Sequence, residues 1–98
     1  MPFMIMTTDK PGAGPLREKL RAEHIAYLKS KLDLLLAGGA LLDDAGQAAS
    51  GGLLIVDTDD RAVAEQFIAE DPFTKGGLFS STVVTRWRKG FFDGKALL

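Results

Sequence analysis

The 98-residue sequence contains no cysteine, a single histidine, a single tyrosine and a single tryptophan. Without cysteine there is no disulfide framework, no thiolate nucleophile and no thiolate-held metal centre. A zinc or iron ion would have to be held by His24 with carboxylates alone, a poor donor set for either, so no metal and no cofactor is expected. Excess charge is missing too. Twelve Lys and Arg stand against thirteen Asp and Glu, a formal net charge of −1. Basic residues gather locally at Arg17, Lys19 and Arg21 and again at Arg86, Arg88 and Lys89. Phosphate-binding surfaces carry a clear basic excess, so these clusters read as solvated faces and nucleic acid is not expected as a partner.

Long apolar runs are also absent. Leu34-Leu35-Leu36-Ala37 falls far short of the ~18 residues that suggest a bilayer span, and no membrane association is expected. The opening Met1-Pro2-Phe3-Met4-Ile5 has neither a basic stretch nor a small-residue cleavage site, which points to a cytoplasmic protein. None of the glycine pairs fits a phosphate-cradling motif, and they read as caps and turns. Ser30, Ser50, Ser80 and Ser81 lack a nucleophile-elbow context, so there is no hydrolase signature.

What is present is ordinary for a globular protein, with 46% hydrophobic and 26% charged residues. The length suits one domain over 1–98 with a C-terminal tail at 90–98, since chains usually divide only beyond ~150–200 residues. Phe3–Thr8 is short, apolar and β-branched and ends at Asp9-Lys10-Pro11-Gly12 turn chemistry, which predicts a first strand. Leu16, Leu20, His24, Leu28 and Leu32 recur at steps of four, predicting a helix over Leu16–Ala37 capped by Gly38-Gly39. A short strand at Ala40–Asp43, a loop over Asp44–Ser50 and an apolar strand at Leu53–Val56 follow. Next come a helix over Ala62–Glu70, a capped turn at Asp71-Pro72-Phe73-Thr74, and a last strand at Ser81–Arg88. The order is βαββαβ: an α+β, ferredoxin-like four-stranded antiparallel sheet with two helices on one face. Its strands are apolar on both sides, and two helices cover only one. At ~25 cal/mol per Å² the other face will not stay wet, so a homodimer packed sheet to sheet is expected. Trp87, Phe91 and Phe92 are read as dimer or tail packing.

His24 lies within the inward stripe of the first helix, flanked on that face by Arg17 and Arg21, so the stripe turns polar at one end as a pocket wall would. A lone histidine there is either a core residue satisfied by backbone carbonyls or a working acid/base. Asp71 is its natural partner. Asp-Pro at a helix start is an N-cap first. A carboxylate on an imidazole also fixes its tautomer, and the unperturbed pKa of ~6.5 suits proton transfer near neutrality. If the two act together, their side chains should lie within ~3.2 Å, the reach of a hydrogen bond.

With Arg21-Ala22-Glu23-His24-Ile25-Ala26-Tyr27-Leu28 in view, the chain resembles the YciI-like (YCII-related) family, which carries an Arg-x-x-His-x-x-(Tyr/Phe)-Leu stretch on its first helix. Gly39-Ala40-Leu41-Leu42-Asp43-Asp44, Gly52-Leu53-Leu54-Ile55-Val56, Ala69-Glu70-Asp71-Pro72-Phe73 and Gly77-Leu78-Phe79 agree in order and spacing. The resemblance spans residues 2–90 or so. It implies a dimeric α+β barrel, related in shape to muconolactone isomerase-like proteins, and a site in which His24 and Asp71 sit together. One branch of the family is described as eliminating chloride from a chlorinated hydroxyquinol with that pair as acid/base. This chain departs from the pattern at Arg86-Trp87, where the family has Pro-Trp, and in the tail from Phe91. Two functions therefore stand as expectations. One is a lyase- or isomerase-type enzyme on a small cyclic or aromatic molecule, with His24 as base, Asp71 as its orienter and Arg21 as an anchor for an anionic group. The other is a non-catalytic ligand-binding or protein-interaction module.

Overall fold

A computed structural model describes residues 1–98. Strand β1 (Phe3–Asp9) leads to helix α1 (Gly14–Lys29), β2 (Leu35–Leu42) and β3 (Ala49–Val56). Helices α2 (Arg61–Ala69) and α3 (Pro72–Lys75) and strand β4 (Phe79–Arg86) follow. The sheet runs β2-β3-β1-β4 with every neighbour antiparallel, so the β1–α1–β2 connection steps over β3. This is the expected ferredoxin-like α+β fold.

Alternation along β1 decides its faces. Phe3, Ile5 and Thr7 are buried on the helix side, while Met6 on the other side is 41% exposed. Ile5 joins Leu54, Val56, Phe67 and Ile68 in one apolar cluster against which Tyr27, Leu28 and Leu35 pack. Helix α2 starts at Asp60, whose carboxylate accepts from the Ala62 N–H at 2.9 Å. It buries Ala64, Phe67 and Ile68; of the stripe expected from spacing, Val63, Phe67 and Ile68, the first is instead 37% exposed. Helix α1 differs. It has no fully buried residue: Tyr27 and Leu28 rest half-buried on the core cluster, and α3 lies alongside.

Two expectations fail on the path from α1 to β2. The helix does not run to Ala37, and Gly38-Gly39 is not its cap. It ends at Lys29, where the Ser30 hydroxyl donates to the Tyr27 carbonyl at 2.6 Å. Leu32, the last step of the fourfold pattern, sits in a turn and is 65% exposed. Leu35 onward is strand, with Gly38 paired to Leu54 and Gly39 to Leu53. A run such as Leu34-Leu35-Leu36 suits a helix or a buried strand equally well by periodicity. The backbone groups along the β3 edge require a partner, and that requirement decides for strand. For the same reason β2 and β3 are longer than the short strands expected at Ala40–Asp43 and Leu53–Val56. Strand β4 is shifted, starting at Phe79 rather than Ser81 and ending at Arg86 rather than Arg88.

The tail also has structure. Phe91–Phe92 (β5) pairs with Lys95–Ala96 (β6) across Asp93-Gly94, both at positive φ (53° and 71°), the conformation that favours Asp-Gly in a two-residue hairpin. Trp87 meets Phe92 edge-on at 6.4 Å between ring centroids. No helix is long and apolar enough to cross a membrane.

Candidate active site

Asp71 stands between α2 and α3 in extended backbone, and its side chain caps α3 by accepting the Phe73 N–H at 2.9 Å. Pro72, in the first turn of α3, gives up no hydrogen bond there and fixes the entry of the chain. The carboxylate is fully buried, and its two oxygens lie 2.8 and 2.9 Å from Nδ1 of His24. The His24 ring lies flat on Phe73, centroids 3.9 Å apart with 13° between planes. The Asp71-Pro72-Phe73 segment thus holds one imidazole twice, at its edge by a carboxylate and on its face by a phenyl ring. A carboxylate only accepts, so Nδ1 carries a proton, and in the neutral imidazole Nε2 is the nitrogen with the lone pair.

His24 lines a cavity of about 240 Å³ between α1 and the glycines of β2 and β3. That volume lies just under the ~300–1,000 Å³ of drug-sized ligand sites, so it suits a molecule of one ring better than a nucleotide. The floor carries glycines, and at two of them there is no room for a side chain. A Cβ at Gly38 would meet Leu54 Cδ2 at 2.7 Å, and one at Gly51 would lie 2.0 Å from the Thr7 carbonyl oxygen.

Two arginines face the cavity with different fates. Arg17 is spoken for: Nε donates to Asp9 at 2.7 Å, and Nη2 donates to Asp9 at 3.1 Å and to the Gly51 carbonyl at 3.2 Å. Its guanidinium also lies 4.8 Å from the centre of the Phe73 ring. Such a bidentate, half-buried pair fixes the wall rather than offering a free cation. Arg21 is exposed at the rim and is the cavity's cation without an ion-pair partner in the chain. Tyr27, nearby, donates to the Phe67 carbonyl at 2.7 Å. Burial, and then the Glu70 and Asp71 carboxylates, push its hydroxyl up to about 12. It is held as a hydrogen-bond donor and does not suit proton transfer near neutrality. No three His, Asp or Glu side chains converge as metal ligands would.

Residues 1–88 match the profile of the YCII-related domain. The chain belongs to that family. It is similar to an uncharacterised protein of Haemophilus influenzae, 26% identical over 98 residues, a match covering 93% of this chain and 100% of that one. Among solved structures it resembles the 5-chloro-2-hydroxyhydroquinone dehydrochlorinase of Burkholderia phenoliruptrix in complex with 2,5-dihydroxybenzoquinone. The identity is 34% and the TM-score 0.83, over 90% of this chain and 94% of that one. An antibiotic biosynthesis monooxygenase, 18% identical with a TM-score of 0.52 over 89% and 97% of the two chains, shares the fold.

In this YCII-related chain the three residues singled out from sequence line one cavity, with His24 and Asp71 in direct contact and Arg21 apart from both at the rim. Sequence reading missed the Arg17–Asp9 pair, the Phe73 stack and the glycine floor. By sequence alone Gly38-Gly39 and Gly51-Gly52 read as caps and turns, and the structure puts all four in strands. The signal was their position beside apolar runs, Leu34–Ala37 before the first pair and Leu53–Val56 after the second, since glycine within a strand marks a close approach or a space left open.

Proposed function

We propose that this protein is a small acid–base enzyme that moves protons on a cyclic or aromatic molecule, with His24 as the base and Asp71 as the residue that orients it. The observation carrying this reading is the Nδ1–carboxylate contact of 2.8 Å on the wall of a one-ring cavity. The 34% identity to a dehydrochlorinase supports a hydroxylated ring as the substrate. In the proposed chemistry, Nε2 takes the proton of a ring hydroxyl. The electron pair left on oxygen forms a C=O bond, and the displaced ring electrons collect the proton at carbon, which completes an isomerisation. Where that carbon carries chloride, loss of a second hydroxyl proton to Nε2 drives out the chloride and completes an elimination. The net loss is one proton and one chloride ion. Asp71 steadies the imidazolium formed at each transfer, and Arg21 anchors an anionic oxygen of the ring.

The reading includes a homodimer. On the outer face of the sheet Met6 stands between Leu53 and Val83, and Met6 and Val83 are 41% and 52% exposed. A second copy packed on this face would dry it. Sedimentation equilibrium should give twice the 10.5 kDa chain mass, and a monomer at tens of micromolar would count against it.

The deciding experiment is His24→Asn, assayed by chloride release from a chlorinated hydroxyquinol. Asn keeps a polar side chain but cannot act as a base near neutrality. Folding and ring binding should survive while turnover falls ~100-fold or more. A wild-type rate in His24→Asn ends the proposal.

A further inference from the structure

The His24–Asp71 pair accounts for one wall of the cavity, and the floor has a polar group of its own. Thr7 sits on β1 between Gly52 of β3 and Thr82 of β4, 4% exposed, on the side of the sheet that faces the helices. A hydroxyl buried there without a partner costs roughly 1–3 kcal/mol, so nearly all such groups are bonded within the protein. The Thr7 hydroxyl is not: no hydrogen bond of the chain uses it. It is not sealed in either, in contrast to Thr74 Oγ1, which is both enclosed and unpaired. Thr7 instead lines the cavity. Gly52 keeps it uncovered, because a Cβ built at that position would stand 3.4 Å from Thr7 Oγ1.

We infer that Thr7 is a substrate-binding residue, its hydroxyl bonded to an oxygen of a planar ring that lies on the glycine floor formed by Gly38 and Gly52. This rests on the acid–base reading above and deepens it by naming the ligand class: a flat six-membered ring with at least one hydroxyl or carbonyl oxygen turned toward the sheet. The residue type fits the proposed chemistry. When a ring C–OH becomes C=O, its oxygen changes from donor and acceptor to pure acceptor. A carboxylate, which only accepts, could serve only the first form. A hydroxyl rotates its proton and serves both without moving a heavy atom.

The test is calorimetric titration of the full-length protein with 2,5-dihydroxybenzoquinone, comparing wild type with Thr7→Val, Thr7→Ser and His24→Asn. Valine matches threonine in shape and removes only the hydroxyl. Thr7→Val should bind the quinone about tenfold more weakly, equivalent to about 1.4 kcal/mol, with an unchanged or higher melting temperature. Thr7→Ser should bind within about threefold of wild type, and His24→Asn should bind normally while lacking turnover. Wild-type affinity in Thr7→Val, with His24→Asn still inactive, overturns this inference and leaves the acid–base pair standing. Equal losses in Thr7→Val and Thr7→Ser assign the residue to packing and also overturn it. Failure of the wild-type protein to bind the quinone at millimolar concentration removes both readings.

Discussion

Asp71 performs two tasks with one carboxylate, and two substitutions separate them. In Asp71→Asn the cap on α3 survives, because asparagine oxygen accepts the Phe73 N–H as well as aspartate does. The group turned to His24 changes character. The capping oxygen still faces Nδ1, but the amide nitrogen in place of Oδ2, 2.9 Å from Nδ1, donates where the carboxylate accepted and favours the imidazole with its proton on Nε2. The ring stays in place on Phe73, at 3.9 Å, but presents N–H instead of a lone pair to the cavity. The loss in stability is one charge-assisted hydrogen bond replaced by a neutral one, about 1 kcal/mol. For a chain of this size that lowers the melting temperature by roughly 4–8 °C. Turnover should fall ~100-fold or more, because the base is in the wrong tautomer.

Asp71→Ala removes both tasks. The lost cap costs about 1 kcal/mol. The imidazole edge left facing an apolar site adds roughly 1–3 kcal/mol, for a total of about 2–4 kcal/mol. Thermal denaturation and the chloride-release assay, run on the same preparations, give both readouts. The reasoning requires the two variants to differ clearly in stability and hardly at all in activity. Asp71→Asn with full turnover refutes it, and so does a turnover loss that tracks melting temperature across the pair.

Four further outcomes follow from particular contacts. Gly51→Ala should lower the denaturant midpoint by the equivalent of roughly 1–3 kcal/mol, since its Cβ would sit 2.0 Å from the Thr7 carbonyl and backbone must move; an unchanged midpoint contradicts that close approach. Thr74→Val should be neutral or stabilising by up to about 1 kcal/mol, as it replaces an enclosed, unpaired hydroxyl with a methyl group. Tyr27→Phe should cost about 1 kcal/mol at neutral pH through the lost bond to the Phe67 carbonyl. It should also flatten the alkaline limb of stability. The raised Tyr27 pKa means that the unfolded chain ionises first, so that contribution is whole below pH 10 and lost as pH rises toward about 12.

The fold was legible where one local pattern had one solution. Phe3–Thr8 alternates and is bounded by Pro and Gly, and Val63, Phe67 and Ile68 repeat at helical spacing, so β1 and α2 lie within a residue or so of expectation. Leu28–Ala37 had two solutions. Its leucines continue a helical stripe and also fill a buried strand, and the choice belongs to β3, twenty residues away and silent in the local pattern. Asp93-Gly94 did carry a hairpin signal, but the strands it joins are two residues each and have no alternation to read.

The site is legible for a different reason: it lies where two local rules are broken in register. Helix α1 should bury its whole stripe, yet that stripe turns to Arg21 and His24, and no residue of α1 is fully buried. Strands β2 and β3 should carry side chains to meet it, yet Gly38 and Gly52 carry none. Either departure alone weakens the fold, because a half-buried helix loses apolar contact and glycine in a strand adds none. Together they leave a space of one ring's size, and the α3 segment adds support beside it: Asp71 and Phe73 grip the helix through His24 itself. Removing the imidazole therefore removes a structural contact as well as a base. For that reason His24→Asn, which retains a polar partner for Asp71, is a cleaner probe of catalysis than His24→Ala, which would leave the buried carboxylate short of a partner and loosen α1 from α3.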